Sequence, residues 1–278
     1  MRTLGAFPCS RACAGSHARR VAALGLLGHT RAPLHAARVF SLEEQLAHVL
    51  RAVDAAPAEP PLTLVGHSIG AHLALRAMAA RPARVARVVG LYPFLQVDPE
   101  SQLLRVLAAA VRLRPLVWLV ATLAGLLAKL PAALRRGLLA PALRGVVGLG
   151  DAAVAVTCDW LRAASVQNTC QLGALEFAAL AKSPEWAQLR ALSSRVALFY
   201  GPADDVWAPA SLAAAVRTHA PGVAVVQDGA HGHMFCTTRE GARYVAAASA
   251  TMLRGLERGA AGTAGATGGA SPTAAVPS

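Results

Sequence analysis

Three segments of this chain supply a serine, then acids, then histidines. In that order these residue types can build a nucleophile with a base and an orienting carboxylate. The first segment is Gly66-His67-Ser68-Ile69-Gly70, a G-x-S-x-G pattern preceded by the apolar run Leu62–Val65 and followed by an alanine-rich stretch. A strand, a sharp turn and a helix in this sequence form a nucleophile elbow, which lifts the serine hydroxyl above the strand ends. The amide after the serine then points at the oxygen that becomes negative in a tetrahedral intermediate. Ser68 is the candidate nucleophile and the Ile69 N–H the candidate oxyanion donor. Gly66 and Gly70 are expected to leave space where a Cβ would collide with neighbouring backbone.

A base must reach the serine hydroxyl while a carboxylate holds its other ring nitrogen. Asp204 and Asp205 follow the strand-like run Arg195–Tyr200, and His231 and His233 follow the run Val223–Gln227. Spacing alone separates neither the two acids nor the two histidines, and one acid can instead be a loop residue or a helix cap. Asp98 is a weaker choice for the acid. His67 adjoins the serine, but neighbouring side chains in an elbow diverge, so it reads as a packing residue. His72 belongs to the following helix and His29 to a loop. The chain order Ser, Asp, His is the one used by α/β-hydrolases.

The elements around these residues alternate. Val21–Leu27 reads as a buried strand ending at Gly28, and Ser41-Leu42-Glu43-Glu44 supplies a capping box for a helix with Leu42, Leu46, Val49, Leu50 and Val53 on one face. A strand over 62–65, a helix over 69–80 and a strand over 86–92 follow. Later come a strand over 195–200, a helix over 211–219, a strand over 223–227 and a helix over 239–256. This β-α alternation implies a mostly parallel sheet, and together with the elbow and the Ser, Asp, His order it predicts an α/β-hydrolase fold. The domain is expected over 20–258, behind a basic segment 1–19 read as outside the fold. A Gly/Ala/Ser/Thr/Pro tail over 259–278 is read as disordered.

The alternation breaks over about 97–150, expected to be a helical cap insertion. Between Glu100 and Asp151 its only charges are Arg105, Arg112, Arg114, Lys129, Arg135, Arg136 and Arg144. Its longest uncharged apolar run, Leu116–Ala128, is 13 residues, against the roughly 20 that a helix needs to span a bilayer. A cationic, leucine-rich helical segment of this length suits a membrane surface or a lipid monolayer.

Composition excludes other classes. The net charge is +12, yet 25 of the 27 basic residues are arginines scattered through an alanine-rich chain, without a basic run or aromatic stacking motif. A nucleic-acid partner is therefore not expected. The five cysteines, Cys9, Cys13, Cys158, Cys170 and Cys236, lack metal-site spacing and suit a reducing compartment. No metal or cofactor motif is found. Residues 1–38 hold six arginines and no acid, as in a transit peptide or a truncated first exon.

From about Gly28 to Met252 the chain resembles the lipid droplet-associated hydrolase family. The resemblance rests on Gly66-His67-Ser68-Ile69-Gly70, Leu91-Tyr92-Pro93, Asn168 with Leu172-Gly173 and Glu176, Phe199-Tyr200-Gly201-Pro202-Ala203-Asp204 with Trp207 and Pro209, and His233-Met234-Phe235. It implies a serine hydrolase with Asp204 as the acid and His233 as the base. It also implies a carboxylic ester substrate, cholesteryl esters among the candidates, and a place on lipid droplets and the cytosolic face of the endoplasmic reticulum. The family's early Pro-Gly-Asn-Pro-Gly-like loop has no counterpart before Gly28. The first strands and one oxyanion donor are therefore expected to be absent, which supports a further reading as a weakly active or non-catalytic droplet-surface protein; a third reading is a soluble esterase or thioesterase, against which the apolar cap argues only weakly.

Overall fold

The computed structural model describes residues 21–29, 38–145, 148–202 and 205–266, with side chains up to residue 259. The expected basic segment 1–19, Asp204 and the end of the tail lie outside these residues. The elements are α1 (Leu42–Ala55), β1 (Leu62–His67), α2 (Ile69–Ala80), β2 (Val85–Leu91), α3 (Gln102–Arg112), α4 (Arg114–Ala128), α5 (Ala132–Gly145), α6 (Asp151–Trp160), α7 (Ala163–Ala179), α8 (Trp186–Ala191), β3 (Val196–Tyr200), α9 (Ala210–His219), β4 (Ala224–Gln227) and α10 (Arg239–Ala266). Among the described residues they fall into two compact units, one of those up to 62 with 76–85 and those within 96–182, the other of 63–75, 86–95 and those from 183 on.

The second unit holds nearly all of a four-stranded sheet in the order β1-β2-β3-β4. β2 runs parallel to β3, with Val88 opposite Val196 and Leu91 opposite Phe199. β3 runs parallel to β4, with Ala197 opposite Ala224 and Tyr200 opposite Gln227. Every residue of β3 is buried, which is why it is a continuous apolar run and not an alternating one. Leu212, Ala213 and Val216 of α9 and Val245, Met252 and Leu256 of α10 complete this unit's apolar interior. The last helix continues through Ala266, past its expected end at 256 and into the segment expected to be disordered.

In the first unit, α1 starts as its sequence dictates. The Ser41 hydroxyl accepts the Glu44 N–H, and the Glu44 carboxylate accepts the Ser41 N–H. Val21–Leu27, expected as a strand, is irregular. Gln45, almost fully buried, takes the place of a neighbouring strand: its Oε1 accepts the Leu27 N–H and its Nε2 donates to the Leu27 carbonyl, both at 2.9 Å. The backbone groups that a ladder would pair are thus already satisfied at Leu27. Gly28 follows at φ +79°, where a Cβ would lie 2.3 Å from the Asn168 Cγ. Asn168 in turn accepts the Phe40 N–H and donates to the carbonyls of Arg38 and Ala164.

The helical run between β2 and β3 is longer than expected. It continues past 150 through α6 and α7, because α7 packs on α3 and α4 while α6 packs on α5. Ala121, Ala124 and Val166 form one small core, and Ala140, Leu149, Val154 and Cys158 another. The outer faces stay apolar: Leu103, Val106, Leu113, Trp118, Leu119 and Leu126 are each about half-exposed or more, Trp118 at 66%. No single helix among the described residues is long and apolar enough to cross a membrane. α3 and α4 meet that test only as a pair, and they bend by 79° at their junction.

Candidate active site

Ser68 sits between β1 and α2 at φ +57°, in the left-handed region. For a residue with a Cβ this costs about 1–2 kcal/mol and must be held by surrounding bonds. They are present: the Ser68 N–H donates to the Leu91 carbonyl at 3.0 Å, and the Ser68 carbonyl accepts from Ala71 at 3.0 Å and Phe94 at 3.3 Å. Gly66 is required, since a Cβ there would lie 2.2 Å from the Gly70 carbonyl oxygen. Gly70 is not required in this sense. A Cβ at that position would meet nothing within 4 Å, which corrects the expectation that both glycines relieve a collision. Ile69 opens α2, and an amide in the first turn has no intrahelical acceptor.

The structure turns the two loop histidines in different directions. The His231 ring lies 5.0 Å from the ring of Tyr244, whose hydroxyl donates to Asp228. The His233 ring instead faces Asp205, with Nδ1 3.7 Å from Oδ1; the two side chains are 12% and 3% exposed. That separation exceeds a hydrogen bond, and Nδ1 is buried without a partner. Asp205 is fixed from below, because its Oδ1 accepts the N–H groups of Trp207 at 2.9 Å and Ala208 at 3.0 Å. The resemblance favoured Asp204, which lies outside the described residues. The carboxylate that the structure brings to His233 is that of Asp205. Asp98 only caps its own turn, accepting the Glu100 N–H.

Two residues join this cluster that the sequence had not placed there. His67 packs against the base: its Nε2 lies 3.1 Å from the His233 carbonyl and the two rings are 4.7 Å apart. Tyr92, fully buried at φ +45°, donates its hydroxyl to the His231 carbonyl at 2.6 Å and stacks on Phe235 at 5.1 Å. The signals for Tyr92 are its place at the end of a strand, before Pro93, and its part in the Leu91-Tyr92-Pro93 element of the resemblance. A carbonyl of the histidine loop is therefore tied to the elbow strand through His67 and another to the β2 end through Tyr92.

Electrostatics follow from burial. Desolvation, aided by the charge of His67 and opposed by Asp205, pushes His233 down to about 4. Desolvation lowers His67 as well, against its bond to the His233 carbonyl and the Asp205 charge. Burial, then Asp205, raises the Tyr92 phenol, which stays a donor. In α7 of the other unit, burial alone lifts the Glu176 carboxyl to about 7. Among the described residues no cluster of three or more potential ligands could hold a metal.

Solved structures with similar folds are α/β-hydrolases. A carboxylesterase of Nitrososphaera gargenis aligns with a TM-score of 0.57 at 13% identity, over 84% of this chain and 79% of its own. N-formylmaleamic acid deformylase of Pseudomonas putida aligns with 0.52 at 16% identity, over 77% and 74%. The meta-cleavage product hydrolase CumD aligns with 0.53 at 16% identity, over 81% and 76%. At these identities the likeness establishes the α/β-hydrolase fold. A search of curated proteins finds no match. The family model described as lipid-droplet associated hydrolase matches residues 11–236, and this chain belongs to that family.

Proposed function

We propose that this hydrolase is a serine esterase acting on carboxylic esters of neutral lipids at a lipid surface. The observation that carries the reading is the conjunction, in one compact unit, of Ser68 at a left-handed elbow turn with the buried His233–Asp205 pair. In this reaction His233 takes the Ser68 hydroxyl proton as Oγ attacks the ester carbonyl. The Ile69 N–H donates to the oxyanion, and Asp205 stabilises the imidazolium through Nδ1. The ring then returns its proton to the leaving alcohol. Water, deprotonated by the same ring, releases the acid. Asp205 takes the role that the resemblance gave to Asp204.

The lipid surface enters through the first unit. Half-exposed Leu103, Val106, Leu113, Trp118, Leu119 and Leu126, with Arg105, Arg112 and Arg114 among them, give α3 and α4 the amphipathic, cationic character of a monotopic anchor. This supports binding to a droplet monolayer and to the cytosolic leaflet of the endoplasmic reticulum. Cholesteryl esters fit the same reading as substrate. The test is hydrolysis of emulsified cholesteryl oleate beside the water-soluble p-nitrophenyl butyrate. The proposal expects both to be cleaved by the protein and neither by Ser68→Ala. Cleavage of the soluble ester alone would reduce the reading to a soluble esterase.

One observation favours a second reading of weak catalysis: the His233 Nδ1 to Asp205 contact is loose at 3.7 Å. Soluble-ester turnover barely above that of Ser68→Ala would select it.

A further inference from the structure

The Ser68-His233-Asp205 chemistry has no use for His67, yet this buried imidazole lies against the base. We propose that His67 is a positioning residue for His233. Through its Nε2 on the His233 carbonyl it fixes the loop that carries the base, and through its ring charge it resists protonation of that base on acidification. The inference rests on the esterase reading for its kinetic consequence but not for the pairing itself.

The geometry supports both parts. The Nε2 to carbonyl distance of 3.1 Å is a hydrogen bond when Nε2 carries a proton, and it spans from β1 to the loop after β4. The rings lie 4.7 Å apart at a tilt of 44°, so a cation on one opposes a cation on the other. Phe235 packs edge-on against His67 at 5.0 Å, and Trp207 lies 5.9 Å from His233. The surroundings are therefore apolar enough to keep this repulsion strong.

Other charged or titratable groups near His233 are few. Asp205 approaches from the loop after β3 and favours the cation. Tyr92 stands at the end of β2, with its ring 5.8 Å away. In the histidine's own loop, His231 turns to Tyr244 of α10, which binds Asp228. Among the described residues His67 is thus the group whose charge opposes the His233 cation, and burial makes both rings reluctant to ionise.

The experiment pairs ring NMR titration of His67 and His233 with the pH dependence of fluorophosphonate labelling, in the wild type, His67→Gln and His67→Leu. Gln keeps a donor for the His233 carbonyl and removes the ring charge; Leu removes both. In the wild type His67 should titrate first and His233 at lower pH. In His67→Gln the His233 midpoint should rise by about 1–2.5 pH units, the scale of a cation near 5 Å at an effective dielectric of about 20–40. Its labelling rate at pH 8 should stay within about threefold of wild type. His67→Leu should show the same midpoint rise together with labelling slowed about tenfold or more, for want of the tether. An unchanged His233 midpoint in His67→Gln overturns the proposal, as does equal slowing at pH 8 in both variants. Coupled titration in a wild type that never labels would uphold the pairing and sink the esterase reading instead.

Discussion

Replacing Asp205 by Asn isolates the charge that the triad needs. The amide matches the carboxylate in shape, and its carbonyl oxygen can still accept the Trp207 and Ala208 N–H groups that Oδ1 accepts now. What is lost is the attraction between Asp205 and the imidazolium of the transition state. At 3.7 Å and an effective dielectric of about 20, that attraction is on the order of 4 kcal/mol, or roughly a thousandfold in rate. The corresponding change in a serine protease triad, where the wrong histidine tautomer adds to the loss, reaches about ten-thousandfold. The labelling rate with a fluorophosphonate at pH 8 should therefore fall by about a thousand- to ten-thousandfold in Asp205→Asn. Its urea midpoint should stay close to wild type. Asp205→Ala, which strands two backbone donors, should lose about 1–3 kcal/mol of stability in addition. Asp204→Asn serves as the paired control and should label within about threefold of wild type. Retained labelling in Asp205→Asn with collapse in Asp204→Asn would refute the assignment and restore the acid favoured by resemblance.

Other consequences can be checked directly. The base must be neutral to accept a proton, and burial moves His233 down to about 4; the labelling rate should hold level from pH 8 to below 6.5 and fall only as pH nears 4. An acid limb centred at or above 6.5 would contradict that environment. Serine at Leu116, Val117, Trp118 and Leu119 should abolish co-flotation with phospholipid-coated triolein droplets while soluble-ester turnover persists; unchanged flotation would remove α4 from the anchor. Neutralising Arg105, Arg112 and Arg114 should weaken flotation modestly and in a salt-sensitive way. Arg135, which bonds the Ala128 carbonyl and pairs with Asp159 at 13% exposure, should instead register as a loss of stability. Asn168→Ala breaks the bonds to Phe40, Arg38 and Ala164 and should cost about 2–4 kcal/mol in urea unfolding; a change below about 0.5 kcal/mol would show that the clamp is slack.

The elbow was legible because its spacing encodes backbone geometry. Gly66 has to be glycine, and the strand before it and the helix after it are strongly patterned. The capping box of α1 was legible for the same reason: Ser41 and Glu44 satisfy each other locally. What could not be read depended on contacts distant in sequence. Val21–Leu27 has strand composition, but a strand needs a partner, and Gln45 satisfies the backbone of Leu27 first. Asp204 and Asp205 are indistinguishable by type; only the two amides that hold Asp205 Oδ1 show that its carboxylate turns inward. His67 reads as a packing residue by a rule about neighbouring side chains in a turn, and it does pack, but against the base. The rule fixes its direction relative to Ser68 and does not foresee that the loop after β4 arrives on that side. The helical insertion outruns its expected end at 150, where the purely cationic stretch stops at Asp151; Asp151 pairs with Arg144 of α5, and Asp159 beyond it with Arg135 and Arg136.

The most direct measurement is the site of covalent modification. Fluorophosphonate-treated protein, digested and analysed by mass spectrometry, should carry one adduct on the peptide spanning residues 62–76, located at Ser68. The adduct should be absent from Ser68→Ala and strongly reduced in His233→Ala, with His231→Ala close to wild type. Absence of any adduct on the folded wild-type protein, or an adduct that persists in Ser68→Ala, would contradict an activated serine at this elbow.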